Sequence, residues 1–242
     1  MLDLGLPTLT VLCLAVVVGT LVQTTVGLGL GLVAAPVTAL VAPSLMPGTM
    51  LLIVSVLPLM TLSREHADID WRGLGWSFPT RLLGTVVGVV VVARVDDRQL
   101  GVLIGAMVLA AVLLTWRAVT PPVNRGTLAT AGFVSGITGT ASSIGGPPMA
   151  LLYARRDPRQ IRTTLAVYFL VGASMSLLGL ALAGELTWLQ AEVALLMVPL
   201  LLLGAETSRL LRHRLRPSLV RPAVLVVCGA SAGALLVRSL LG

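Results

Sequence analysis

The chain has 242 residues, of which 56% are hydrophobic and only 11% charged, and its mean hydropathy is +0.98. A soluble globular domain carries about 25% charged residues, so the composition excludes one and points to an integral membrane protein. The net charge of +7 does not indicate a nucleic-acid partner: every basic residue is Arg, and nearly all fall between apolar runs, where the positive-inside bias accounts for them.

Apolar runs of about 17–25 residues are the template for a membrane-spanning helix. The N-terminal Met1-Leu-Asp3-Leu-Gly-Leu-Pro7 lacks the basic region of a signal peptide and is expected to lead straight into the first span. That span runs from Thr8 to about Val26, breaks, and resumes as a shorter piece from Leu32 to Ala42. Further runs cover Met50–Leu62, Leu74–Ala93 and Leu100–Val119. The pattern then restarts: Thr127–Ile137, a second break, a short piece to Tyr153, then Thr163–Ala183, Leu189–Leu203 and Leu219–Leu236. This reads as an all-α polytopic bundle of about eight spans in two four-span halves, residues 1–123 and 124–242, each half opening on a broken segment.

The breaks are the informative feature. Gln23-Thr-Thr-Val-Gly27-Leu-Gly29-Leu-Gly31 through Pro36, and Ser135-Gly-Ile-Thr-Gly139 through Ser143, Gly145, Gly146, Pro147 and Pro148, place helix-breaking residues inside bilayer-length apolar stretches. Lipid cannot satisfy freed backbone N–H and C=O groups, so such a break survives only against protein or a polar cavity. Paired breaks in corresponding positions of two halves point to a transporter binding site. An offset of 112 places Gly27 on Gly139 and Pro36 on Pro148, and an offset of 120 places Gly84 on Gly204 and Arg94 on Arg214.

An unwound segment at a half-helix N-terminus offers N–H donors and a positive dipole end to an anion. The candidate substrate-binding set is therefore the break backbone (Gly27, Gly29, Gly31, Pro36, Gly136, Gly139, Gly145, Gly146, Pro147) with the nearby polar side chains Gln23, Thr24, Thr25, Ser135, Thr138, Thr140, Ser142 and Ser143. The opposing expectation for these small polar residues is back-bonding to helix carbonyls or glue between helices. Arg81 stands well inside a span, either as a charge on the substrate path or snorkelling to the interface. Glu206, near Arg209, is the acidic counterpart, more readily a membrane-edge ion pair than a proton relay.

With eight simply alternating spans, the odd loops hold Arg94, Arg98, Arg155, Arg156, Arg159, Arg162 and the Arg209–Arg221 cluster. Arg64, Arg72, Arg117, Arg125 and Arg238 fall on the other side. The excess places the odd loops in the cytoplasm and both termini outside; a re-entrant glycine segment would change this parity. Gly84/Gly88, Gly101/Gly105, Gly132/Gly136 and Gly229/Gly233 are spaced for close helix packing.

Enzyme readings find no support. Gly229-Ala-Ser231-Ala-Gly233 matches a nucleophile elbow but lies in a continuous apolar helix without the strand–turn–helix context. His66 and His213 are in loops, Cys13 and Cys228 stand singly in apolar helices, and no phosphate-binding loop or zinc motif is present. No metal or cofactor is expected.

Taken together, Val26-Gly-Leu-Gly-Leu-Gly-Leu-Val-Ala-Ala-Pro36, the second copy Ser135–Pro148, Leu82-Leu-Gly84-Thr-Val-Val-Gly88 with Arg94, and Leu203-Gly204-Ala-Glu206 through Arg216 resemble the sulfite exporter TauE/SafE family of membrane permeases. Leu28, Leu30 and Ala141-Ser-Ser143 depart from its usual glycine runs. The resemblance implies an eight-span, multi-pass transporter of the bacterial plasma (inner) membrane that moves sulfite, thiosulfate or organosulfonates, often outward, and the paired breaks point to alternating access of the two repeats around a central site between them. Its partners would be the anion and the lipid bilayer; a homo-oligomer is compatible with the sequence, and no coupling ion is identified. A non-transporting membrane assembly or sensor component is the alternative reading.

Overall fold

The computed structural model describes residues 5–26, 29–117, 121–211 and 217–241, with the side chains of 25, 26, 209–211 and 217–221 left aside. Among the described residues the chain is all-helical. The first half holds α1 (Leu6–Val26), α2 (Leu30–Val41), α3 (Gly48–Arg64), α4 (Trp71–Val92) and α5 (Asp97–Trp116). The second holds α6 (Arg125–Ser142), α7 (Gly146–Tyr153), α8 (Pro158–Leu182), α9 (Trp188–Leu211) and α10 (Pro217–Leu241). Six of these, α1, α4, α5, α8, α9 and α10, are long and apolar enough to cross a membrane, against the eight spans expected.

Local chemistry sets the boundaries. Asp70 caps α4 by accepting from the Gly73 N–H at 2.9 Å, and Asp96 with Gln99 and Asn124 with Thr127 form reciprocal capping boxes at α5 and α6. Each satisfies N–H groups that a helix start leaves free. Pro158 opens α8 behind the Asp157 cap, and Pro147 and Pro148 open α7, where a missing N–H costs nothing.

Both breaks turn the chain back on itself. In the first, a Cβ on Gly19 would lie 3.1 Å from the Leu30 Cα, and the Leu30 N–H donates to Gln23 Oε1 at 3.0 Å, so α2 starts alongside the last turns of α1. In the second, the Ser135 hydroxyl donates to the Gly145 carbonyl, and a Cβ on Gly139 would sit 3.3 Å from the Gly145 Cα. The second break is narrower than the sequence suggested. α6 stays helical through Ser142, and the hydroxyls of Thr138, Thr140 and Ser142 donate to carbonyls one turn back.

Side-chain contacts sort the helix ends into two sets. At one end, Arg162 forks onto Glu65 at 3.0–3.2 Å, Arg159 approaches Glu65 and Asp68, Arg64 pairs with Glu206 at 2.8 Å, and Tyr153 donates to Asp70. Arg125 covers Trp76 there. At the other end, Gln190 Nε2 donates to the Ser44 and Met46 carbonyls, Arg98 donates to the Ser239 and Leu240 carbonyls, and Arg238 donates to that of Leu40. α1 runs beside α9, with Cys13 against Met197 and Thr24 on Ser208, and α2 returns to the end where α1 began. α6 and α7 do the same from the opposite end.

This arrangement corrects the alternating-loop expectation. Arg64 and Arg72 were placed across the membrane from Arg155–Arg162, yet Glu65 and Asp68 touch Arg159 and Arg162, so the α3–α4 and α7–α8 connections share one face. The reason is the reversal at each break, which removes a crossing from the parity. Among the described residues, that face carries Arg64, Arg72, Arg117, Arg125, Arg155, Arg156, Arg159 and Arg162, and the opposite face Arg94, Arg98 and Arg238.

Small residues set the closest helix contact. A Cβ on Gly136 would come within 2.7 Å of the Thr85 N, and one on Gly88 within 2.8 Å of Thr140 Cβ, so α4 and α6 meet backbone to backbone. Gly105 likewise admits Leu236 of α10. Gly229 and Gly233 do not behave this way: nothing lies within 4 Å of a Cβ at either. With Cys13 and Cys228 replaced, single cysteines at Asp68 and Arg155 are expected to react with a membrane-impermeant thiol reagent from the same side of the membrane, and a cysteine at Glu185 from the other. Labelling of 68 and 155 from opposite sides would refute the topology.

Candidate functional site

The two breaks meet near the middle of the bundle. A Cβ on Gly31 would lie 2.7 Å from the Ser143 carbonyl oxygen and 3.6 Å from Ile144. Around this contact is a cavity of about 60 Å3, enough for roughly four waters. Its wall combines Gln23, Gly29, Gly31 and Leu32 from the first break with Gly139, Ser143, Ile144, Gly145, Gly146 and Pro147 from the second. Leu51 and Val54 of α3, Arg81 of α4, and Phe169 and Ala173 of α8 complete it. Both half-helices, α2 and α7, begin at this cavity and run away from it, so both present their positive dipole ends.

Arg81 is the charge in this wall. It is 3% exposed, so it does not snorkel to an interface. Its guanidinium carbon lies 4.3 Å from the centroid of the Tyr168 ring, which itself stacks on Phe78 at 6.0 Å. Nε and Nη1 have no hydrogen-bond partner, and no carboxylate pairs with Arg81 among the described residues. Keeping a buried ion out of water costs several kcal/mol, whereas a desolvated cation–π contact returns about 2. The deficit is what an anion in the cavity would offset. The Tyr168 hydroxyl and Thr85 Oγ1 are likewise buried without partners.

Gly172 gives the guanidinium its slot. A Cβ there would overlap Nε, Cζ and Nη2 of Arg81 at once, and the same head packs 3.2–3.3 Å from the Cβ positions of Gly139 and Gly145. Ser143, the C-terminal residue of the α6 break, adopts φ 60 and donates to the Pro47 carbonyl at 3.2 Å, tying the break to the α2–α3 connection.

Of the candidate residues, the structure brings Gln23, Gly29, Gly31, Gly139, Ser143, Gly145, Gly146, Pro147 and Arg81 to one cavity. Thr24, Pro36, Ser135, Gly136, Thr138, Thr140 and Ser142 do not line it. Thr24 bonds to Thr20 and Ser208, Ser135 to Gly145, and Thr140 to Gly136 and Ser176. Gly27 and the Thr25 side chain lie outside the described residues. Glu206 meets Arg64, both about half exposed, away from the cavity.

Sequence reasoning did not single out Gly172, Tyr168, Phe169 or Ile144. A signal existed for one of them: Tyr168 is one of two tyrosines in the chain and sits mid-span, where a phenol needs a reason to be. Outside the spans, burial and the Asp70 carboxylate push the Tyr153 hydroxyl well above the ordinary phenol range, so it stays a proton donor to Asp70.

Three comparisons bear on this geometry. Residues 11–235 match the family model described as Sulfite exporter TauE/SafE. A relative in Cupriavidus necator, "Probable sulfite/organosulfonate exporter TauE", is 27% identical over 231 residues, covering 88% of this chain and 89% of its own. No solved structure matches.

Gly172→Ala should force the guanidinium out of its slot while leaving the helix intact, since Ala is the better helix former. We expect anion binding to weaken at least about tenfold, a loss of about 1.4 kcal/mol, with thermal stability altered far less. Gly229→Ala, whose added methyl meets open space, is the control and should bind as the parent does.

Proposed function

The chain belongs to the sulfite exporter TauE/SafE family, and from that premise we propose that it transports small sulfur oxyanions, sulfite or organosulfonates, outward across the bacterial plasma membrane through the cavity at the two breaks. The observation that carries this reading is the buried, ion-pair-free Arg81 in a wall shared by the N-terminal ends of α2 and α7. Fixed donors and one cation hold an oxyanion without enclosing it in ion pairs, which allows release as well as capture.

The layout of the halves supports a reading of alternating access. In each half a helix–break–helix reversal is followed by three end-to-end helices, so an odd number of crossings separates the two units and they sit inverted with respect to one another. α1 against α9 matches α6 against α4, α3 against α9 matches α8 against α4, and α3 with α8 and α5 with α10 close the symmetry. Inverted repeats around a central site built from broken helices support rocking of one unit against the other. The arginine-rich face then lies in the cytoplasm by the positive-inside bias, and both described ends of the chain, at α1 and α10, on the outside.

Arg81→Gln in protein reconstituted into vesicles should reduce sulfite and organosulfonate flux at least about a hundredfold, consistent with losing a charge-assisted contact of about 3 kcal/mol. Arg81→Lys should retain part of it, because Lys keeps the charge but not the planar fork. Parent-like flux in Arg81→Gln would remove this cavity from the transport path.

A further inference from the structure

Among the described residues the cavity wall carries one full positive charge and no negative one. Among the described residues its lining contains no carboxylate and no imidazole, and the groups that meet the guanidinium are the Tyr168 ring and Gly172 of α8, Gly139 of α6 and Gly145 in the break. The remaining donors are uncharged: the Gln23 amide, the Ser143 hydroxyl, which is engaged with the Pro47 carbonyl, and backbone N–H groups at the two half-helix ends, both of which are blunted. In α7, the first-turn positions 147 and 148 are proline and donate nothing. In α2, the Leu30 N–H is already taken by Gln23. The partial charge of a helix end also fades within its first turn, whereas a guanidinium charge is complete. A singly charged ligand would therefore neutralise the site, and a doubly charged one would leave an unmatched negative charge in a mostly apolar wall, an arrangement burial strongly disfavours.

Resting on the transport reading above, we propose that the site takes its sulfur oxyanion as the singly charged R–SO3− species, hydrogensulfite or a sulfonate, and rejects the doubly charged sulfite and sulfate ions. The three-oxygen head common to the accepted ligands can face the Arg81 fork. The cavity's volume of about 60 Å3 restricts the substituent to a small group.

The test compares three anions on the purified full-length protein by calorimetric titration. Methanesulfonate carries one charge across the whole working range, sulfate carries two, and sulfite passes from one charge to two near neutral pH. Between about pH 6 and about pH 8.5, methanesulfonate affinity should stay constant, sulfate should bind at least about a hundredfold more weakly, and sulfite affinity should fall about tenfold per pH unit once its second proton is lost. Constant sulfite affinity over that range, or sulfate binding as tightly as methanesulfonate, would overturn charge-state selection while leaving the transport reading intact. A parallel loss of methanesulfonate affinity would assign the pH dependence to a group on the protein and overturn it as well. Failure of all three to bind would remove the transport reading together with the proposal.

Discussion

A guanidinium buried inside a membrane protein, with no counter-ion among the described residues, constrains everything around it. Arg81 is almost fully buried, has no carboxylate to meet among the described residues, and leaves two of its nitrogens without acceptors. Such a group persists only where the surrounding elements fix it and where its charge has a use. The Tyr168 face supports it from one side, and the glycines at 139, 145 and 172 let three backbones crowd against it. Helix packing between α4 and α6, itself dependent on Gly84, Gly88, Gly132 and Gly136, sets where the guanidinium sits along the bundle.

The same physics explains the breaks. A helix interrupted at bilayer depth exposes N–H and C=O groups that lipid cannot satisfy. Here, the exposed ends are turned toward each other, and the chain satisfies part of the demand internally: Gln23 caps Leu30, Ser135 donates to Gly145, and Ser143 donates to Pro47.

Much of this was legible in the sequence. The helical class, the membrane setting and the position of both breaks follow from hydropathy and from Gly and Pro placement, because these are properties of local composition. That the two glycine segments belong together was legible as an analogy between halves, Arg81 was legible only as a lone charge inside a span, and the cavity joins all three. The hydroxyls were harder. Thr138, Thr140 and Ser142 look identical to ligand donors in one dimension, and only the helical path through Ser142 reveals that their hydrogen bonds turn backward. The sidedness of the α3–α4 connection was misread because re-entry at a break is a matter of chain direction, which no window of hydropathy records. Gly172 escaped notice for a related reason: its meaning depends on a side chain ninety-one positions earlier.

That last dependence reaches into how the protein can change over time. Arg81 and Gly172 occupy one volume between them, so neither position has a free choice of residue while the other is kept. A methyl at 172 is excluded as long as the guanidinium is present, yet it becomes harmless, and even helix-favouring, once position 81 holds a short neutral side chain. Loss of the charge therefore opens a ratchet: after the glycine has been filled, restoring the arginine alone no longer restores the site. An alanine at 172 in a homologous chain would be the fossil of a lineage that gave up the central cation.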